Sequence, residues 1–85
     1  MKFFVNQLIG KNIKTNDTWE KMVKKGRKLA NINSDKIVEI PMSIQGLKAC
    51  KILSGEGIKV NITSISYSAQ ALLAARAGAN YISPV

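Results

Sequence analysis

Histidine is absent from this 85-residue chain, cysteine occurs once, and five acidic residues face thirteen Lys and Arg. Without histidine there is no Ser-His-Asp or Cys-His catalysis, no haem ligation, and none of the commonest transition-metal ligand. Cys50 alone can form neither an intrachain disulfide nor the clustered thiolates of a structural zinc site, and reads as a core residue. What remains is lysine or carboxylate chemistry, or none, and no cofactor is expected. No apolar run approaches the roughly 20 residues of a membrane span. The opening Met1-Lys2-Phe3-Phe4-Val5 is interrupted by Asn6 and Gln7 before a signal-peptide core develops, so a cytoplasmic protein is expected. The length predicts one domain over residues 1–85, too short for a complete (β/α)8 barrel of roughly 250 residues.

The net charge of +8 raises nucleic acid as a partner, because a basic patch is the footprint of phosphate binding. Position weighs against it. At 3.6 residues per turn, Trp19, Met22, Val23, Gly26, Leu29 and Ala30 share one side of a helix, and Lys21, Lys24, Lys25 and Lys28 fall on the other. This is the pattern of a helix packed on a core with its lysines in water, and Trp19 lies on the apolar side rather than among the basic residues where it could stack on bases.

Phe3 to Ile9 is a short β-prone run ended by Gly10. Asp17, with Glu20 three residues on, predicts a capping box opening a helix that ends near Ala30. Lys36 to Pro41 is β-branched and proline-terminated, a second strand. Ser43 caps a second helix whose Leu47, Ala49, Cys50 and Leu53 share a face, and Gly55 and Gly57 supply left-handed positions at its end. Lys59 to Ile65 is a third strand, and Ser66 or Ser68 opens an alanine-rich helix, Ala69 to Ala77, stopped by Gly78. Tyr81 to Ser83 is a fourth strand. The order β-α-β-α-β-α-β with short connections implies an α/β fold of parallel strands joined by right-handed crossovers. Periodicity alone does not choose between an open three-layer sheet and half of a (β/α)8 barrel.

Residue identity goes further. Ile37-Val-Glu-Ile-Pro-Met-Ser-Ile-Gln-Gly-Leu-Lys-Ala49, Leu53-Ser-Gly-Glu-Gly-Ile-Lys-Val-Asn-Ile-Thr63 and Ser68-Ala-Gln-Ala-Leu-Leu-Ala-Ala-Arg-Ala-Gly-Ala-Asn-Tyr-Ile-Ser-Pro84 together resemble the central part of the small transaldolase and fructose-6-phosphate aldolase family. Met22 to Ala30 resembles the preceding family helix more weakly, and Lys11 to Thr18 has no clear counterpart. The resemblance implies a partial TIM barrel holding the third to sixth strands, with strands one, two, seven and eight missing. It also implies sugar-phosphate ligands and a Schiff base between a barrel lysine and a dihydroxyacetone unit. Carried over by position, Gln7 corresponds to a polar residue of the third strand and Thr63 to the threonine that helps hold a catalytic water. Ser83 stands just before the family's active-site aromatic, whose place is taken by Val85.

The family's Val-Lys-Ile-Pro is Val38-Glu39-Ile40-Pro41 here, so a carboxylate stands at the Schiff-base position and cannot attack a carbonyl as an amine does. Lys36 is on the wrong side of its strand, and Lys59 sits at the entry end, so neither replaces it. Glu39 has three readings: an inactivating change, an exposed carboxylate in a rearranged half-barrel, or a new acid or base. Gln7, Asn61 and Thr63 are its candidate hydrogen-bond partners. The expectation is a family member with little or no aldolase activity, and the alternative a basic, non-catalytic binding module. A half-barrel leaves sheet edges open, which predicts a homo-oligomer.

Overall fold

The computed structural model describes residues 2–3, 13–33 and 35–85. The elements run β1 (Lys2–Phe3), α1 (Trp19–Ile32), β2 (Val38–Pro41), α2 (Ile44–Gly55), β3 (Val60–Ile65), α3 (Ser68–Arg76) and β4 (Tyr81–Pro84). The alternation of strand and helix therefore stands, and every strand pairing is parallel. Most of the expected first strand, Gln7 included, lies outside the described residues.

The sheet order is β1-β4-β3-β2. Its β2-β3-β4 portion has the consecutive order of a (β/α)8 barrel, as the resemblance implies. β1 departs from that order: it pairs with the far edge of β4, Lys2 opposite Tyr81 and Phe3 opposite Ile82, rather than with β2. An edge of β4 with unmade backbone hydrogen bonds is thereby supplied with a partner.

The helix ends differ from the expected ones by a residue or two. The N-cap of α1 is Thr18, not Asp17, with Thr18 Oγ1 accepting from the Lys21 N–H at 3.3 Å. Asp17 is drawn off by a stronger set of donors: Oδ2 accepts the Lys14 N–H and the Lys25 ammonium, each at 2.9 Å. The helix runs on to Ile32. Ser43 caps α2 as expected, its Oγ accepting from the Gly46 N–H at 2.9 Å. At the far end only Gly57 is left-handed, with φ of 82°, whereas Gly55 is the last residue of the helix. Tyr67 is the N-cap of α3, and Gln70 Oε1 accepts the N–H groups of Ser66 and Tyr67 at 2.7 and 3.1 Å.

The core lies between the sheet and the helices. Met22 of α1, Leu53 of α2, Val38, Ile40, Val60 and Ile62 are fully buried, and burying each such side chain contributes about 1.5–3 kcal/mol relative to exposure. Cys50 belongs to the same layer, and burial pushes its thiol up to about 12. Two close approaches fix α2. Its first turn sits so tightly on the end of β2 that a Cβ on Gly46 would overlap the Pro41 carbonyl oxygen. At the other end, Ser54 Oγ donates to the Ala77 carbonyl at 3.1 Å, tying α2 to the end of α3. Gly78, with φ of 98°, turns the chain there towards β4. Across the α1–α2 seam Arg27 makes a bidentate pair with Glu56, which raises the guanidinium and lowers the carboxyl through their mutual hydrogen bond. Among the described residues no helix is long and apolar enough to cross a membrane.

Candidate functional site

Strand alternation gives the sheet two faces. Val38 opposite Val60 and Ile40 opposite Ile62 look into the helix layer. Glu39 opposite Asn61 and Pro41 opposite Thr63 look the other way. On β4, Tyr81 pairs with Asn61 and so joins the second face, to which Ser83 belongs by alternation. The sequence-predicted residues Glu39, Asn61, Thr63 and Ser83 are thus brought to one face of three adjacent strands; the described residues do not include Gln7.

Asn61 is fully buried and Ser83 is 8% exposed. They satisfy one another: Ser83 Oγ lies 3.0 Å from Asn61 Nδ2 and 3.1 Å from Oδ1, so the hydroxyl accepts from the amide or donates to its carbonyl. Such a pair removes most of the cost of burying two polar side chains.

The register between β3 and β4 slips once, Ile62 pairing with Ile82 but Ile65 with Pro84. Three steps along β3 match two along β4, a β-bulge. Ser64 absorbs the extra residue in the left-handed region, at φ of 63°. A non-glycine residue there is uncommon, and such strain collects at functional sites. The bulge returns Ile65 to the apolar layer and leaves Thr63 and Ser64 together at the carboxyl ends of the strands.

An open cleft of about 650 Å³ lies there, lined by Glu39, Pro41, Thr63, Ser64 and Ser83 from the sheet and by Ile13, Lys14 and Thr15 from the segment before α1. Asp17 sets that segment in place. The Lys14 N–H donates to its carboxylate while the Asp17 N–H donates back to the Lys14 carbonyl at 3.0 Å, and Lys25 anchors the same carboxylate to α1. The Lys14 N–H and Lys25 hold the Asp17 carboxyl below its ordinary value.

Lys14, Thr15 and Ser64 are site residues that sequence reasoning passed over. The Asn16-Asp17-Thr18 cluster was the available signal for the first two, since such a turn folds preceding residues back. Ser64 carries no signal, because an alternating Thr-Ser reads as ordinary strand. Chemically the cleft offers a carboxylate, hydroxyls and one loop amine, with no amine on the strands that line it. Among the described residues no three His, Cys, Asp or Glu side chains converge as metal ligands.

Parallel strands joined by helices, with polar residues gathered at the carboxyl ends, define a partial (β/α) barrel unit. The family model described as Transaldolase/Fructose-6-phosphate aldolase matches residues 12–84, and the chain belongs to that family. It is 54% identical over 70 residues to a probable transaldolase of Lachnoclostridium phytofermentans, covering 82% of this chain and 32% of the relative. It is 57% identical over 65 residues to a probable transaldolase of Clostridium acetobutylicum, covering 76% and 30%. The chain therefore spans about a third of the length of the curated relatives it matches. The family match also reaches back across residues 12–18, where the residues alone suggested no counterpart: a short polar turn carries too few distinctive side chains to reveal one.

Proposed function

We propose that this chain is a transaldolase-like polypeptide of sugar-phosphate metabolism in which lysine-dependent aldol chemistry is lost or severely impaired. The observation that carries this reading is Glu39, on the cleft face of β2 opposite Asn61, at the position where the family resemblance implies the Schiff-base lysine. An amine must attack the substrate carbonyl to form the iminium that accepts electrons during carbon–carbon cleavage, and a carboxylate cannot. A cytoplasmic location accords with such metabolism.

Borohydride reduction in the presence of dihydroxyacetone or fructose 6-phosphate, followed by peptide mass mapping, tests it. The expected result is no mass increment on any lysine. A substrate-dependent increment on Lys14, which lines the cleft from the loop side, would overturn the reading. Glu39→Lys is expected to be labelled only weakly, because the chain spans about a third of its relatives' length and substrate contacts from the remainder are absent.

A second reading, a basic non-catalytic binding module, is favoured by the excess of thirteen basic over five acidic residues. Self-association belongs to either reading. Among the described residues β2 pairs only with β3, and an open edge favours pairing between chains; a single monomeric species in sedimentation at micromolar concentration would refute it.

A further inference from the structure

Taken alone, the lysines of α1 are a solvated helix face. Packing α1 against α2 changes their setting. The two helices run side by side: the Trp19 N–H donates to Gln45 Oε1 at 2.8 Å, and Arg27 meets Glu56 two turns further along. Lys48 Nζ stands 4.8 Å from the centroid of the Trp19 ring, bridging the seam. Lys24 and Lys28 of α1 and Lys48 and Lys51 of α2 are all exposed, and none of the four has a carboxylate partner among the described residues. The acidic residue on the seam, Glu56, is already occupied by Arg27.

We propose that the outer surface of the α1–α2 layer binds the phosphate backbone of duplex nucleic acid without reading its sequence. Packed helices lie about 8–10 Å apart, so the lysines form two rows at roughly the spacing of phosphates bordering a groove about 12 Å wide. Aromatic side chains that could stack on unpaired bases are not displayed here, since Trp19 is half-buried beneath Lys48; this favours a duplex over a single strand. An anionic membrane fits less well. The apolar stripe of α1, Met22, Val23, Gly26 and Leu29, is buried in the core, leaving nothing to enter the acyl boundary as an interfacial helix must. Binding of this kind does not require that aldol chemistry be lost.

Fluorescence anisotropy with a labelled 20-base-pair duplex of arbitrary sequence tests it. Binding is expected at 50 mM salt and should weaken by roughly 10²-fold at 200 mM, as four released counterions require. The triple variant Lys24→Gln, Lys28→Gln, Lys51→Gln should lower the log–log salt slope by about 2.7, and the single variants Lys24→Gln and Lys51→Gln by about 0.9 each. Those single variants keep the test independent of how well the triple variant folds. A control, Lys36→Gln, Lys59→Gln, Arg76→Gln, removes the same charge outside this layer and should retain the wild-type slope. Absence of binding at 50 mM salt, equal losses in test and control triples, or tighter binding to phosphatidylserine vesicles than to the duplex would each overturn the proposal.

Discussion

The two faces of β2 and β3 are made from alternate residues of the same strands, yet they obey different rules. Val38, Ile40, Val60 and Ile62 meet the helices, where apolar area and close packing decide everything. Glu39, Asn61 and Thr63 meet the cleft, where each polar group needs a partner and where chemistry becomes available. The difference teaches that a family fold can persist on one face while the other face changes its reactive residue. Family resemblance resides largely in the first, and activity in the second.

Core truncation should break this contrast most severely. Leu53→Ala removes a fully buried side chain beneath α1 and should cost about 2–5 kcal/mol, read as a lowered urea midpoint with little change in the denaturant slope. On the cleft face, Asn61→Ala takes the amide away from the Ser83 hydroxyl and should cost about 1–3 kcal/mol. Adding Ser83→Ala to that variant should recover part of the loss in a double-mutant cycle; strict additivity would show that the pair is not coupled.

The smallest effect concerns the segment that walls the cleft. Because the folded-state value of Asp17 is depressed, its contribution is present above the unfolded carboxyl value of about 3.9 and is lost as pH falls through the lower folded value. Asp17→Asn should therefore be less stable than wild type at pH 7, with the gap narrowing below pH 4. A gap of constant size across that range would show that the Lys14 and Lys25 contacts do not stabilise the carboxylate.

The alternation of strands and helices was legible because each element carries its own period and punctuation: Ser43 before α2, Pro41 closing β2, Gly78 ending α3. The gathering of Glu39, Asn61, Thr63 and Ser83 was legible only through the family resemblance, since Thr and Ser are ordinary in strands. Two features were hidden for physical reasons. Asp17 looks like a cap in isolation, and only the distant Lys25 ammonium and the Lys14 N–H make it a loop anchor. The place of β1 beyond β4 is set by which strand edge remains to be paired, a property of the assembled sheet rather than of Lys2 and Phe3.

Ser64 gives β3 one residue more than its neighbour, and the strand thereby changes phase along its length. Before it, odd-numbered residues look into the cleft; after it, odd-numbered Ile65 looks into the apolar layer. Strict alternation would have forced a choice between a polar mouth and a sealed core at the top of the sheet. One left-handed serine lets a six-residue strand serve both, which makes chain length at this point, rather than side-chain identity, the quantity that the site can least tolerate losing.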